Sequence, residues 1–181
     1  ARYKISGVPV VNDRGKLVLI NGQTGKGEWS VNLPGGAAGR RREPDQRPPL
    51  VQATLAAVQL RGSEVLDLVV ACETGVVCVV NTKRGDVVWE GKVAPGTYAA
   101  PLTFSTARDQ QAAALLIDGA AHVWALKRAG RGFELEDAWT LGLRREESAV
   151  AGLRTLGNGP DRAPWIIACT VRERYSRWCK T

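Results

Sequence analysis

Gly15-Lys16-Leu17-Val18-Leu19-Ile20-Asn21-Gly22-Gln23-Thr24-Gly25-Lys26-Gly27-Glu28-Trp29 and Gly75-Val76-Val77-Cys78-Val79-Val80-Asn81-Thr82-Lys83-Arg84-Gly85-Asp86-Val87-Val88-Trp89 are two versions of one pattern. Gly, Asn, Gly and Trp hold the same offsets in both: Gly15, Asn21, Gly25 and Trp29, then Gly75, Asn81, Gly85 and Trp89. Self-similarity of this kind means that one supersecondary unit is copied along the chain.

Each copy is preceded by a short apolar run, at 8–11 and 68–72. A turn follows, ending in Gly15 or Gly75, where glycine allows the positive φ of a tight hairpin. The next apolar runs, 16–20 and 76–80, are rich in Val, Ile and Leu and bounded by turn residues, so they read as strands. Asn21 and Asn81 close these strands, and an Asn side chain can imitate a backbone turn. Gly25 and Gly85 make the next turn, and Trp29 and Trp89 sit in the strand beyond as large apolar anchors. Further strands are expected at 49–60 and 97–105, ahead of the second and third units. The unit is then a four-stranded antiparallel meander, the blade of a β-propeller.

Two weaker copies complete the layout. The third has apolar runs at 113–117 and 121–126, the turn Asp118-Gly119, a Gly-rich turn at 130–132 and Trp139 in its last strand. The fourth carries Trp165-Ile166-Ile167-Ala168-Cys169 and ends without a last strand. The expectation is an all-β chain, 1–181, forming a propeller of about four blades or part of a larger one. Blade one spans about 1–34, a basic insertion 35–49, blade two about 50–94, blade three about 97–142 and an incomplete blade four about 147–181. Either residues 1–6 supply a strand to blade four, or other polypeptide completes the arc. The chain has no Met, even at position 1, and reads as processed or excerpted.

The pattern Gly-x-Leu-x-x-Ile-Asn-x-x-Thr-Gly-Lys-x-x-Trp resembles the quinoprotein, or pyrroloquinoline-quinone-like, β-propeller repeat. That family usually has Asp where this chain has Asn21 and Asn81. The resemblance implies that Trp29 and Trp89 dock neighbouring blades. The stretch Ala56 to Val70 also resembles an FG-GAP repeat of the integrin α-chain type, in which a loop of alternating acids binds calcium. Only Asp67 matches those acids; Gln59, Arg61 and Ser63 stand at the others. Calcium takes six to eight oxygens, mostly anionic, and a loop containing Arg61 does not supply them.

Catalysis by the quinoprotein route is not expected either. The family's enzymes carry an adjacent Cys-Cys pair, a calcium and a catalytic Asp, whereas Asp67, Asp118 and Asp137 are scattered and no Cys-Cys pair exists. His122 is the only histidine and sits in a strand, with no nucleophile motif beside it. The stretch 22–27 is not a phosphate loop: Ile20 replaces the first Gly, Gly27 follows Lys26, and a strand follows instead of a helix. No cofactor and no metal site are therefore expected, and the chain reads as a non-enzymatic scaffold for protein–protein interaction.

Composition narrows the partners. The net charge is +7, and the excess gathers at Arg40, Arg41, Arg42 and Arg47 in the insertion and at Arg172, Arg174 and Arg177 near the C-terminal end. These residues, with Trp178, are the candidate contact surface for other protein chains. Basic clusters also attract nucleic acid, so a ribonucleoprotein-type subunit is the alternative. A degenerate quinone- or calcium-binding propeller is the third reading. No apolar run is long enough for a membrane-spanning helix. Of the six tryptophans, Trp124 and Trp178 fall outside the docking offset and are expected to be the more exposed. The spacing of Cys72 with Cys78, and of Cys169 with Cys179, admits local hairpin disulfides or buried free thiols, but not the usual zinc pattern.

Overall fold

A computed structural model describes residues 7–12, 14–34, 52–61, 66–96, 101–105, 112–118, 120–140, 142, 147–158 and 164–172. Within them the chain is all-β and antiparallel, with thirteen strands in four sheets. The first sheet holds β1 (Gly7–Val11), β2 (Lys16–Asn21) and β3 (Gly27–Asn32) in that order. The second is a four-stranded meander of β4 (Ala53–Val58), β5 (Asp67–Cys72), β6 (Val76–Asn81) and β7 (Val87–Lys92). The third repeats it with β8 (Leu102–Ser105), β9 (Ala112–Ile117), β10 (His122–Ala129) and β11 (Gly132–Thr140). The fourth pairs β12 (Glu147–Asn158) with β13 (Pro164–Arg172).

The second sheet is the centre of the core, and its period-2 alternation shows why. Side chains of successive strand residues point to opposite faces. Leu68, Val70 and Cys72 on β5, with Val76, Cys78 and Val80 on β6, pack against Leu17 and Leu33 of the first sheet. The intervening Val69, Ala71, Val77 and Val79 pack against Ala114, Leu116, Leu126 and Phe133 of the third. Both strands are therefore apolar at nearly every position, the pattern expected of strands covered on two faces. β8 also lies beside both β4 and β12.

Turn chemistry explains the hairpins. Gly15 and Gly75 adopt φ of 73° and 85°, and each donates its N–H three residues back, to the carbonyls of Asn12 and Cys72. In the third sheet the corresponding bond runs from Ala121 to Asp118, and Ala121 has φ 64°. A Cβ in this left-handed region costs about 1–2 kcal/mol. Ala121→Gly is therefore expected to stabilise the chain by about 0.5–1 kcal/mol, once the extra freedom of glycine in the unfolded chain is subtracted. Urea unfolding would read this as a higher midpoint at unchanged slope, and a lower midpoint would contradict the turn assignment.

Two differences from the four-stranded expectation stand out. The first sheet has three strands among the described residues, and Pro9 supplies a reason. The Asn12 N–H bonds to the Lys16 carbonyl on β2. Alternation then places the nitrogens of Asn12, Val10 and Val8 toward β2, and that of Pro9 toward the open edge. Val69, at the same offset in the second sheet, uses that edge to pair with Ala56 of β4. Proline has no N–H to offer there, which suits it to an edge.

The third sheet departs in its last hairpin. β10 and β11 pair continuously as far as Ala129 with Gly132, leaving a two-residue turn. Leu135 follows Ala121 by the interval that separates Trp29 from Gly15, but it pairs with Leu126, one step beyond the offset of Leu19, and packs back toward the second sheet. Trp139, the tryptophan of this unit's last strand, lies opposite Val123 near the far end of the ladder.

Candidate functional site

The most specific contact between sheets is made by Trp29. Its Nε1–H donates to the backbone carbonyl of Thr82 at 2.7 Å, fifty-three residues away and in the turn of the second sheet. The indole lies over Gly85, where φ is 71° and an added Cβ would come within 2.6 Å of the ring. Glycine is thus required twice at one position, for its φ and for the closeness of the ring.

The receiving turn is built by its own side chains. Asn81 Oδ1 accepts the Lys83 N–H at 2.9 Å, and Gly85 N–H returns to the Asn81 carbonyl at 2.8 Å. Thr82 donates its hydroxyl to the Leu66 carbonyl, tying the turn to the strand before it. The first sheet forms the same turn: Asn21 Oδ1 accepts from Gln23 and Thr24, and Gly25 N–H bonds to the Asn21 carbonyl. Asn21 Nδ2 adds a bond to Glu28 Oε1 at 2.8 Å.

Trp89, at the corresponding position of the second sheet, meets different chemistry. It packs on the cluster shared with the third sheet and approaches Phe133 edge-on, with centroids 6.5 Å apart and planes at 68°. An aromatic edge replaces the glycine turn because the β10–β11 hairpin turns later.

Two buried carboxylates carry the remaining chemistry, and each is satisfied. Asp67 is fully buried and paired with Arg61: the Arg61 Nε–H lies 3.1 Å from both carboxylate oxygens, and Nη2 lies 2.5 Å from Oδ1. Hydrogen bonding to Asp67 raises the Arg61 pKa further. The guanidinium thus supplies the positive charge at the one acid that matched the calcium-loop pattern. The second acid, Asp118, accepts from the Ala120 and His122 amides at 2.9 Å and from Trp124 Nε1 at 2.8 Å. A longer contact from the Ala94 amide, 3.4 Å, links it to the second sheet. Trp124, expected to be exposed, is half-buried with its N–H engaged. Its need for an acceptor, six residues after an Asp, was the available signal. His122 lies at the rim, its Nδ1 3.8 Å from Asp118 Oδ2.

Cys72 and Cys78 are free, buried thiols. The register sets Cys78 opposite Val70, so Cys72 is its diagonal neighbour, beyond disulfide reach. Burial pushes Cys72 up to about 11 and Cys78 up to about 12. Both are therefore expected to resist iodoacetamide in the folded chain near neutral pH. Because the folded values lie above the unfolded ones, this stabilisation is whole below about pH 9. It is lost as pH rises toward 11–12, by up to about 1.4 kcal/mol per pH unit for each thiol. A Cys72→Ala, Cys78→Ala chain should show a flatter alkaline decline in urea titrations; an unchanged slope would contradict the assignment.

Among the described residues no group of three or more His, Cys, Asp or Glu side chains is placed to hold a metal. No described helix could cross a membrane, which says nothing of strands. Arg40, Arg41, Arg42, Arg47, Arg174 and Trp178 lie outside the described residues, as do the insertion and residues 1–6. Arg172 ends β13, where its backbone pairs with Glu147. No protein-family model matches the chain, and no curated protein matches it significantly.

Proposed function

We propose that the chain is an arc of a β-propeller, of the quinoprotein-like repeat type, and serves as a non-catalytic scaffold for assembly with other proteins. The observation that carries this reading is the sheet-on-sheet docking: a Trp from one meander is received by the glycine turn of the next. Successive meanders stacked by their faces are the construction of a propeller, and β8 beside both β4 and β12 suits first strands gathered toward a common axis. The two buried carboxylates favour a structural role, since each already holds its partners inside the fold. Propeller faces and rims are broad and rigid, which suits them to holding other chains.

Native mass spectrometry of the chain from its own source, in mild salt, tests this. An assembly containing other polypeptides is expected. A lone mass near 19.5 kDa would instead indicate a self-sufficient domain and remove the scaffold reading.

A further inference from the structure

We propose that the outer face of the first sheet is a preformed socket for the tryptophan-bearing face of a further meander of this same repeat, with the Gly22 carbonyl receiving the indole N–H. This rests on the scaffold reading above and specifies the partner it would take.

Two faces at matching offsets differ in their cover. On the second sheet, Leu68, Val70, Cys78 and Val80 are between 0% and 2% exposed because the first sheet covers them. The same offsets in the first sheet are Val8, Val10, Val18 and Ile20. These four share a face, since Val8 pairs with Ile20 and Val10 with Val18. Val8 is 52% and Val10 42% exposed, the two most exposed large apolar side chains among the described residues. The same repeat positions are thus covered in one sheet, whereas in the other Val8 and Val10 are open and Val18 and Ile20 half-buried.

The turn beside the face is duplicated too. Gly25 has φ 68° against 71° for Gly85, and both turns close with the same pair of backbone bonds. Gly22 stands where Thr82 offers its carbonyl. Around Gly85 an added Cβ would strike the Trp29 ring; around Gly25 it would meet nothing within 4 Å. The features that receive an indole are therefore present, while no indole among the described residues occupies them. The open face also continues an interface already made inside the chain, which identifies the occupant by chemistry: an apolar sheet face with one tryptophan at its edge. Pro9, on an edge with no partner strand among the described residues, favours cover by side chains over an added strand.

The test uses the full chain, labelled for NMR at backbone amides and Val and Ile methyls. The probe is a head-to-tail cyclised peptide of residues 16–33, whose ring closure holds the β2–β3 hairpin and presents Trp29. Saturable shifts are expected at Val8, Val10, Val18, Ile20, Gly22 and Gly25. A Trp29→Ala peptide, or the chain carrying Val10→Lys, should each weaken binding by at least about tenfold, as for a buried aromatic anchor and its pocket. No saturable shift at these residues, or equal binding by the alanine peptide, would overturn the socket. So would nuclear Overhauser contacts from Val8 and Val10 to residues 143–181, which would mean that the chain covers this face itself. A larger native assembly with a silent peptide removes the socket alone; a lone 19.5 kDa chain with a silent peptide removes both.

Discussion

Arg61→Met should lower stability at pH 7 by about 3 kcal/mol, the scale for breaking a buried ion pair from one side. Asp67 is 0% exposed, and Arg61 makes the only ion pair given to it among the described residues. Methionine keeps much of the stem that packs at the surface but leaves the carboxylate without a counter-charge. A buried carboxylate left without its partner is costly. Urea unfolding at pH 7 reads the deficit. Removing the carboxylate charge as well, in an Arg61→Met, Asp67→Asn chain, should recover most of it. A deficit that persists unchanged would mean that Arg61 contributes packing and not charge. Asp67→Asn should be milder at pH 7, because Arg61 is 28% exposed and can turn its charge toward water.

Trp29 and Gly85 should behave as one unit in a double-mutant cycle. Trp29→Ala removes the bond to Thr82 and the ring packed between the first two sheets, for an expected loss of about 3 kcal/mol. Gly85→Ala carries two costs: a left-handed Cβ at φ 71°, about 1–2 kcal/mol, and overlap with an indole 2.6 Å away. With the indole gone only the backbone cost remains. The double variant should therefore be more stable than the sum of the single losses predicts, by about 1–2 kcal/mol. Strict additivity would mean that the ring does not bear on Gly85. Trp29→Phe provides the intermediate case, keeping a ring but losing the N–H donor.

The repeat was legible because its signals are stereochemical. Gly15 and Gly75 are required by φ, Asn21 and Asn81 by turn hydrogen bonds, and Trp29 by its contact with the glycine turn of the second sheet. Legibility fell where a different residue solved the same problem. Ala121 holds a left-handed position without the glycine that advertises it. The β10–β11 pairing runs on to Ala129 and Gly132, so the ladder has no turn where the first two sheets place theirs. Arg61 stood out in the sequence only as a cation within an acid-loop pattern; its role as the counter-ion of Asp67 needed the fold to bring the two together. Asp118 was seen as a turn residue, but its reach to the Trp124 indole depends on strand pairing that the linear sequence does not display. Among the described residues β1 is an edge strand of the first sheet, and Pro9 suits that place, though its meaning depends on which edge its nitrogen faces.

That proline also sets the direction in which anything larger could grow. A sheet can extend sideways, one backbone ladder after another, and such extension is indifferent to side chains; it is the route by which unrelated chains join fibrils. With the donor at Pro9 missing in the middle of β1, the lateral route is interrupted at its first rung. Growth along the stacking direction remains, and there every added layer must match the last in shape. Anything that joined there would have to fit the apolar surface and not merely be extended.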